Sequence, residues 1–172
     1  GFRVYTTLLK ADQEAAYQSV RRGLLAYDRR HGYRGPEGYV EIKGDSDDAY
    51  EDALSDFVDS DDLYAGLVLE ANTKQIKVVK RGGEIVNLSG EGLKFAARAL
   101  DDKAAPNKRI RRGAIIRIVK DEKGAWQVAQ LPEAESAFVS VDPREGSIKS
   151  LVGGFDFSRN KYNHVTQAWR QP

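Results

Sequence analysis

Few residues in this chain of 172 have the types and spacing that chemistry requires. Ser158 and Lys161 form a Ser-x-x-Lys pattern, in which a lysine amine one helical turn away can activate a serine hydroxyl as a nucleophile. Residues 156–163 are polar and aromatic without helical periodicity, so we interpret this pattern as a coincidence. No Lys-Thr-Gly or Lys-Ser-Gly triplet accompanies it. We therefore expect no catalytic residue in this stretch.

Histidines and tyrosines are the remaining candidates for a site. His31 and His164 are the two histidines and lie far apart in sequence. A site formed by both with carboxylates stays open, but structural roles are commoner for isolated histidines. Four tyrosines could stack on a ligand, although such residues more often cap a small core. They are Tyr33, Tyr39, Tyr50 and Tyr64. The absence of cysteine excludes disulfides, cysteine metal sites and thiol chemistry, and we expect neither a metal nor a cofactor.

Charge is strongly segregated, although the net charge is only +1. Residues 41–62 contain ten acidic residues and one lysine, whereas residues 103–120 contain seven basic residues and no acidic one. The two segments are either solvated faces or docking surfaces, and the basic one could bind an external partner or the acidic segment itself. The candidate docking residues are Lys108, Arg109, Arg111, Arg112 and Arg117. The candidate acidic patch is Asp47, Asp48, Glu51, Asp52, Asp59, Asp61 and Asp62.

The composition is that of a soluble globular chain. Charged residues make up 31% of it, and the mean hydropathy is −0.56. No apolar run approaches the roughly 20 residues that a membrane helix needs. The absence of methionine indicates that Gly1 is a cut end. The tail is rich in residues that are usually buried, so we expect the natural protein to continue beyond Pro172.

The first third of the chain predicts a strand and two helices. Residues 2–9 are rich in β-formers and predict a strand. Asp12 is a candidate N-cap of a helix that runs to about Arg30, with a glycine-rich loop after it. Asp45 or Ser46 then caps a short helix in the acidic segment.

The middle of the chain predicts three strands, a helix and two strands, which is the order of a small OB-type barrel. The expected strands are residues 64–70, 75–80, 84–88, 114–120 and 125–130, with the helix at 91–100. The side chains expected to face inward are Leu67, Leu69, Ile76, Val78, Ile116, Ile118, Trp126 and Val128. Paired apolar residues such as Val78-Val79 leave the register open. A hairpin of residues 137–141 and 147–152 follows, across Asp142-Pro143-Arg144-Glu145-Gly146.

Several stretches together resemble class A penicillin-binding proteins of the Gram-negative 1A subclass. At the tail these are Leu151-Val-Gly-Gly-Phe-Asp-Phe157, Tyr162-Asn163, Thr166-Gln167-Ala168 and Arg170-Gln171-Pro172. At the front they are Val4-Tyr-Thr-Thr-Leu8 and Gly23-Leu-Leu-Ala-Tyr-Asp-Arg-Arg-His-Gly-Tyr-Arg-Gly-Pro-Glu37. In this family the nucleophilic serine follows the tail motif, beyond Pro172. The resemblance implies a peptidoglycan synthase with glycosyltransferase and transpeptidase activities, a periplasmic location and an inner-membrane anchor outside this chain.

We therefore expect a mostly β, α+β fold with a small five-stranded OB-like barrel inserted between flanking strands of a transpeptidase sheet. The expected parts are an N-terminal strand and helix at 1–31, the OB-like domain at 32–132 with an acidic helical segment at 45–62, and a hairpin opening the transpeptidase domain at 133–172. The barrel would act as a spacer within the parent enzyme and would bind a regulatory protein of the cell envelope. The alternative is a freestanding OB module that binds oligonucleotides or oligosaccharides. Against nucleic acid stands the acidic segment, which would repel phosphates.

Overall fold

The computed structural model describes residues 1–169, and the chain divides into two compact units. One unit comprises residues 31–131, and the other combines residues 1–30 with the described part of 132–172. The fold is mostly β with short helices, as predicted. None of the helices within residues 1–169 has the length and apolar content needed to cross a bilayer.

An antiparallel sheet of six strands forms the 31–131 unit. The strands are β1 Gly38–Tyr39, β2 Tyr64–Ala71, β3 Gln75–Lys80, β4 Ile85–Ser89, β5 Ala114–Lys120 and β6 Trp126–Ala129. Strands β2, β3 and β4 form a meander, while β5 pairs with β2 on one side and with β1 and β6 on the other. The predicted order of strands is confirmed. The short β1 was not predicted, because two residues within a glycine-rich loop leave no alternating pattern.

The predicted OB-like arrangement is confirmed, but hydrogen bonds within residues 1–169 do not close its sheet into a barrel. In the described part of the chain no ladder joins β4 to β6. A 3₁₀ helix, Gly90–Leu100, contacts both of these strands where α-helical geometry was expected. Gly92 lies so close to the Trp126 carbonyl that any side chain there would overlap it. The helix thus lies directly against the backbone of β6, which requires glycine at this position.

Both faces of the sheet are buried, which explains the paired apolar residues. One core contains Ile76, Val78, Ile116, Ile118 and Val128, as predicted, with Trp126 packed against it. The prediction that Leu67 and Leu69 face this core is wrong. They lie in a second core with Val79 and Ile115 on the opposite face. Two covered faces give near-continuous apolar strands, so a period of two could not settle the register.

A short helix in the acidic segment covers the second core. Helix α2, Asp47–Leu54, begins after Ser46, whose hydroxyl accepts a hydrogen bond from the Ala49 amide at 3.3 Å. Of the two capping candidates, Ser46 is therefore the N-cap. Leu54 is fully buried among Ala65, Leu67 and the other residues of the second core.

The other unit packs one helix on a two-stranded sheet. Helix α1, Lys10–Arg30, buries Ala16, Val20 and Leu24. The strands are β7 Phe138–Val141 and β8 Ile148–Val152. The helix begins two residues before the predicted cap Asp12, which instead lies in its first turn, where an acidic side chain favours the helix dipole.

The predicted strand at Phe2–Leu9 is not formed, so a helix and not a strand leads into this unit. At the end of this segment the Leu9 amide donates to the Lys149 carbonyl of β8 at 2.9 Å. Further along β8, the Gln13 side chain bonds both the amide and the carbonyl of Leu151 at 2.8 Å. A helical side chain thus takes the backbone groups that a neighbouring strand would need.

Candidate functional site

The basic loop between the 3₁₀ helix and β5 is anchored by one apolar residue. Ile110 is 3% exposed, belongs to the first core, and donates its amide to the Ala99 carbonyl at 2.7 Å. Arg109, Arg111 and Arg112 flank it on both sides. Burial of Ile110 and its backbone hydrogen bond fix the loop backbone, so the positions of the three arginines are fixed at their Cα atoms.

Arg109 and Arg111 surround the ring of Tyr39. The Arg111 guanidinium lies 4.4 Å from the centre of that ring, and the Tyr39 hydroxyl donates to the Arg109 carbonyl at 2.7 Å. Arg109 pairs with Asp102 on the loop itself. The pKa of Tyr39 is raised mainly by burial, with Arg111 opposing this shift. Tyr39 is therefore a neutral platform for the Arg111 cation.

Arg112 joins the basic loop to the start of the acidic segment. Its guanidinium lies 2.6 Å from an Asp45 carboxylate oxygen and donates a second bond to the Leu69 carbonyl at 3.3 Å. Hydrogen bonding from Arg112, and then its charge, holds the pKa of Asp45 below its ordinary value. Tyr50 also donates to Asp45, at 3.3 Å. Of the two partners left open by the sequence, the acidic segment is thus the one that Arg112 contacts.

Arg117 is not a surface residue, so the prediction that it could dock a partner is wrong. Its side chain is 1% exposed and donates to both carboxylate oxygens of Glu37, at 2.5 and 2.9 Å. A third bond, of 2.7 Å, goes to the Val58 carbonyl. Its position in β5, which is buried on both faces, encloses the guanidinium. Lys108 by contrast is exposed, and its side chain has no ion pair within the described residues.

Four residues of the acidic patch stabilise the local backbone. Asp47 and Asp48 lie in the first turn of α2, where their charge favours the helix dipole. Glu51 accepts a hydrogen bond from the Gly82 amide, and Asp59 accepts one from the Ala65 amide at 2.7 Å. The exposed members Asp52, Asp61 and Asp62 complete the patch.

Arg81 holds the end of α2, a role that the sequence did not reveal. Its guanidinium donates to the carbonyls of Leu54 at 2.6 Å, Ser55 at 2.8 Å and Phe57 at 3.2 Å. Leu54 and Ser55 are the last residue and the C-cap of the helix, where carbonyls lack intrahelical donors, and Leu54 also accepts the Phe57 amide at 3.0 Å. An arginine before a Gly-Gly turn carries no sequence signal for a helix 24 or more residues earlier.

Ser158 and Lys161 are not arranged on one turn of a helix. Ser158 lies in an exposed turn, where its hydroxyl donates to the Asp156 carboxylate at 2.6 Å. No helix includes these residues. The last motif of the family resemblance, Arg170-Gln171-Pro172, lies outside the described residues.

The histidines and tyrosines have local roles. His164 lies 3.7 Å from Glu135, and no group of three or more potential ligands that could hold a metal occurs within residues 1–169. Tyr64 packs edge-on against Trp126, with the Lys80 amine 4.4 Å from its ring centre. Tyr33 packs against Phe95, and its buried hydroxyl has no hydrogen-bond partner among the described residues.

The open antiparallel sheet with its intervening helix is an OB-like arrangement, and the chain matches a protein-family model for it. The model, described as "Penicillin-binding protein OB-like domain", matches residues 33–134. The chain therefore belongs to this family, and the resemblance seen in the sequence is confirmed.

Relatives match over the whole chain. It is 40% identical over 175 residues to penicillin-binding protein 1A of Neisseria lactamica and 38% identical over 180 residues to that of Escherichia coli K12. These matches cover 100% and 99% of the chain but 22% and 21% of the relatives. The crystal structure of penicillin-binding protein 1A from Haemophilus influenzae superposes with a TM-score of 0.79 and 30% identity, over 95% of this chain and 24% of that one. The chain thus spans about a fifth of the length of these relatives.

Proposed function

We propose that this chain is a non-catalytic part of a bifunctional penicillin-binding protein that polymerises and crosslinks peptidoglycan. The match of the family model, together with relatives about five times longer, carries this proposal. The glycosyltransferase and transpeptidase residues lie elsewhere in the longer protein, which is anchored in the inner membrane and works in the periplasm. The OB-like unit acts as a spacer and as a docking surface.

The docking surface consists of Lys108, Arg109 and Arg111, and its partner is a regulatory protein of the cell envelope that presents carboxylates. Arg111 supports this role most directly, because its described contact is an aromatic ring and not a carboxylate. A guanidinium held on a ring keeps its hydrogen-bond donors free for a partner's carboxylate. Arg112 is assigned to the internal contact with Asp45.

Charge reversal in the full-length protein tests both assignments. Arg111→Glu should lower the crosslinking rate measured in the presence of envelope regulators while leaving covalent penicillin labelling unchanged, because docking charges steer association and not chemistry. Unchanged stimulation in this variant would show that Arg111 does not dock the regulator.

Arg112→Glu should act inside the chain. Losing the pair with Asp45 should speed amide hydrogen exchange at residues 45–48, whereas the matched reversal Lys108→Glu should leave exchange there unchanged. Equal exchange in the two variants would contradict the internal role of Arg112.

A further inference from the structure

A groove of about 630 Å³ lies within the 31–131 unit, between the 3₁₀ helix, the loop after it and residues 31–33. This volume falls in the range of small-ligand sites. Gly35 allows the approach of the two loops, because its backbone, at φ 117°, lies against the Lys108 backbone. The groove is separate from the ring of Tyr39 on which Arg111 lies.

The rim of the groove is cationic. Lys94, Arg98 and Lys108 line it, and no carboxylate is among its described lining residues. Lys94 pairs with Glu91 at 2.8 Å, but the side chains of Arg98 and Lys108 have no ion pair within residues 1–169. Both are exposed. A concave surface with cations of one sign concentrates anions.

The interior adds one buried polar group and small apolar walls. Tyr33 lines the groove, and its hydroxyl is buried without a hydrogen-bond partner among the described residues. Burial first, and then the neighbouring Tyr39 and Glu37, raises the pKa of Tyr33, so the phenol keeps its proton at neutral pH. The hydroxyl is closed to solvent in the free protein, so a ligand's acceptor reaches it only when the contact between Tyr33 and Phe95 opens, and the new hydrogen bond would then satisfy the donor. The walls are Ala96, Ala97, Ala99, Ala104 and Ala105.

We propose that this groove binds a short acidic peptide with small side chains. One carboxylate lies between Arg98 and Lys108, an oxygen of the peptide accepts the Tyr33 hydroxyl, and methyl-sized side chains contact the alanine walls. The volume exceeds that of a single ion, so a peptide fills the groove better than an inorganic anion does.

Single-stranded nucleic acid fits the same groove less well. Such ligands need exposed aromatic faces on which bases stack. Of the three aromatic rings that line the groove, Tyr33 and Phe95 are engaged with each other, with ring centres 5.4 Å apart and planes at 70°, which leaves His31. The inference does not rest on the synthase function, since it concerns binding by this chain alone, although Lys108 also belongs to the docking surface proposed above.

Titration of the 172-residue chain tests the site. Backbone amide resonances of isotope-labelled protein are followed as the peptide Ala-Glu-Ala-Glu is added, with C-terminally amidated Ala-Gln-Ala-Gln as the neutral control. We expect saturable shifts at residues 94–99 and 104–108 with the acidic peptide alone. No saturable shift there, or equal shifts with the neutral peptide, would overturn the proposal. Shifts with an oligothymidine but not with the peptide would overturn it in favour of nucleic acid.

Three variants separate the groove from general charge effects. Arg98→Gln and Lys108→Gln should each weaken peptide binding about tenfold, since each loses a charge-assisted hydrogen bond, whereas the exposed control Lys123→Gln should not. Equal affinities for all three would overturn the site.

Tyr33→Phe gives a readout that a purely structural residue would not. Removing a hydroxyl without a partner should leave the thermal midpoint unchanged or raised, while peptide affinity falls. A lowered midpoint would show that the hydroxyl is already satisfied in the free protein. Unchanged affinity would show that the ligand does not reach it. Either result would overturn the role of Tyr33.

Discussion

Arg117 and Glu37 form a bidentate ion pair in which the guanidinium side chain is 1% exposed and the carboxylate side chain 28% exposed. The guanidinium also bonds the Val58 carbonyl, so three of its five donors have partners. Such a pair adds little stability compared with apolar residues of the same size, but removing one partner leaves an uncompensated buried charge. Its visible effect here is to tie β5 to the segments around residues 37 and 58.

We expect the protein to lose stability when the charge of Glu37 is removed from its pair with Arg117. Glu37→Gln should lower the free energy of unfolding by about 1–3 kcal/mol, because the buried Arg117 guanidinium loses its counter-charge and keeps only a neutral acceptor. Urea denaturation measures the change, with the exposed Glu122→Gln as the control, expected within about 0.5 kcal/mol. The double variant Glu37→Leu with Arg117→Met should recover most of the loss. A loss in Glu37→Gln no larger than that of the control would contradict this account.

The surroundings of Ser158 predict that this serine does not react with penicillin. The chain should not be labelled covalently by a fluorescent penicillin, because Ser158 lies in a turn with Asp156 and no helical face brings the Lys161 amine to its hydroxyl. Gel fluorescence after incubation with the penicillin measures this. Labelling that disappears in Ser158→Ala would show that this serine is a nucleophile after all.

At the scale of elements, the fit of the 3₁₀ helix on β6 depends on the absence of a side chain at Gly92. Gly92→Ala should destabilise the protein by about 1–3 kcal/mol, because the new methyl would overlap the Trp126 carbonyl within a paired strand. Gly23 in α1 is a matched control, since nothing lies within 4 Å of an added methyl there. Gly23→Ala should stabilise the helix by about 0.5–1 kcal/mol. Thermal unfolding of both variants measures the contrast, and shifts of the same sign would contradict it.

At the scale of the whole molecule, the apolar cores are unevenly distributed. Two large clusters of buried residues belong to the 31–131 unit. The other unit buries Ala16, Val20, Leu24, Val152 and Phe155 but leaves Phe138, Val139 and Val141 between 43% and 48% exposed. Stability should therefore reside mainly in the OB-like unit.

Excision tests this distribution. Residues 31–131 expressed alone should fold cooperatively, with a β-rich circular dichroism spectrum and a defined thermal midpoint, because they contain both cores. Gradual, non-cooperative melting of this piece would show that its stability depends on the remainder of the chain.

The sequence by itself determined the family, most element types and, from Tyr64 onward, the strand bounds to within one residue. Hydrophobic periodicity, caps and turns act between residues close in sequence, so β3 and β5 were predicted to the residue and Ser46 was one of two predicted caps. The motifs that carry the family resemblance are equally local.

Tertiary structure decided what depends on contacts between distant residues. Burial of both sheet faces placed Leu67 and Leu69 in a second core, and it enclosed Arg117 beside Glu37, 80 residues away. The side-chain amide of Gln13 bonds the backbone amide and carbonyl of Leu151 in β8, where a neighbouring strand would otherwise pair. Alternation along a strand shows which residues share a face, but it does not show whether another element covers that face. A cluster of charged residues likewise does not show which of them become buried.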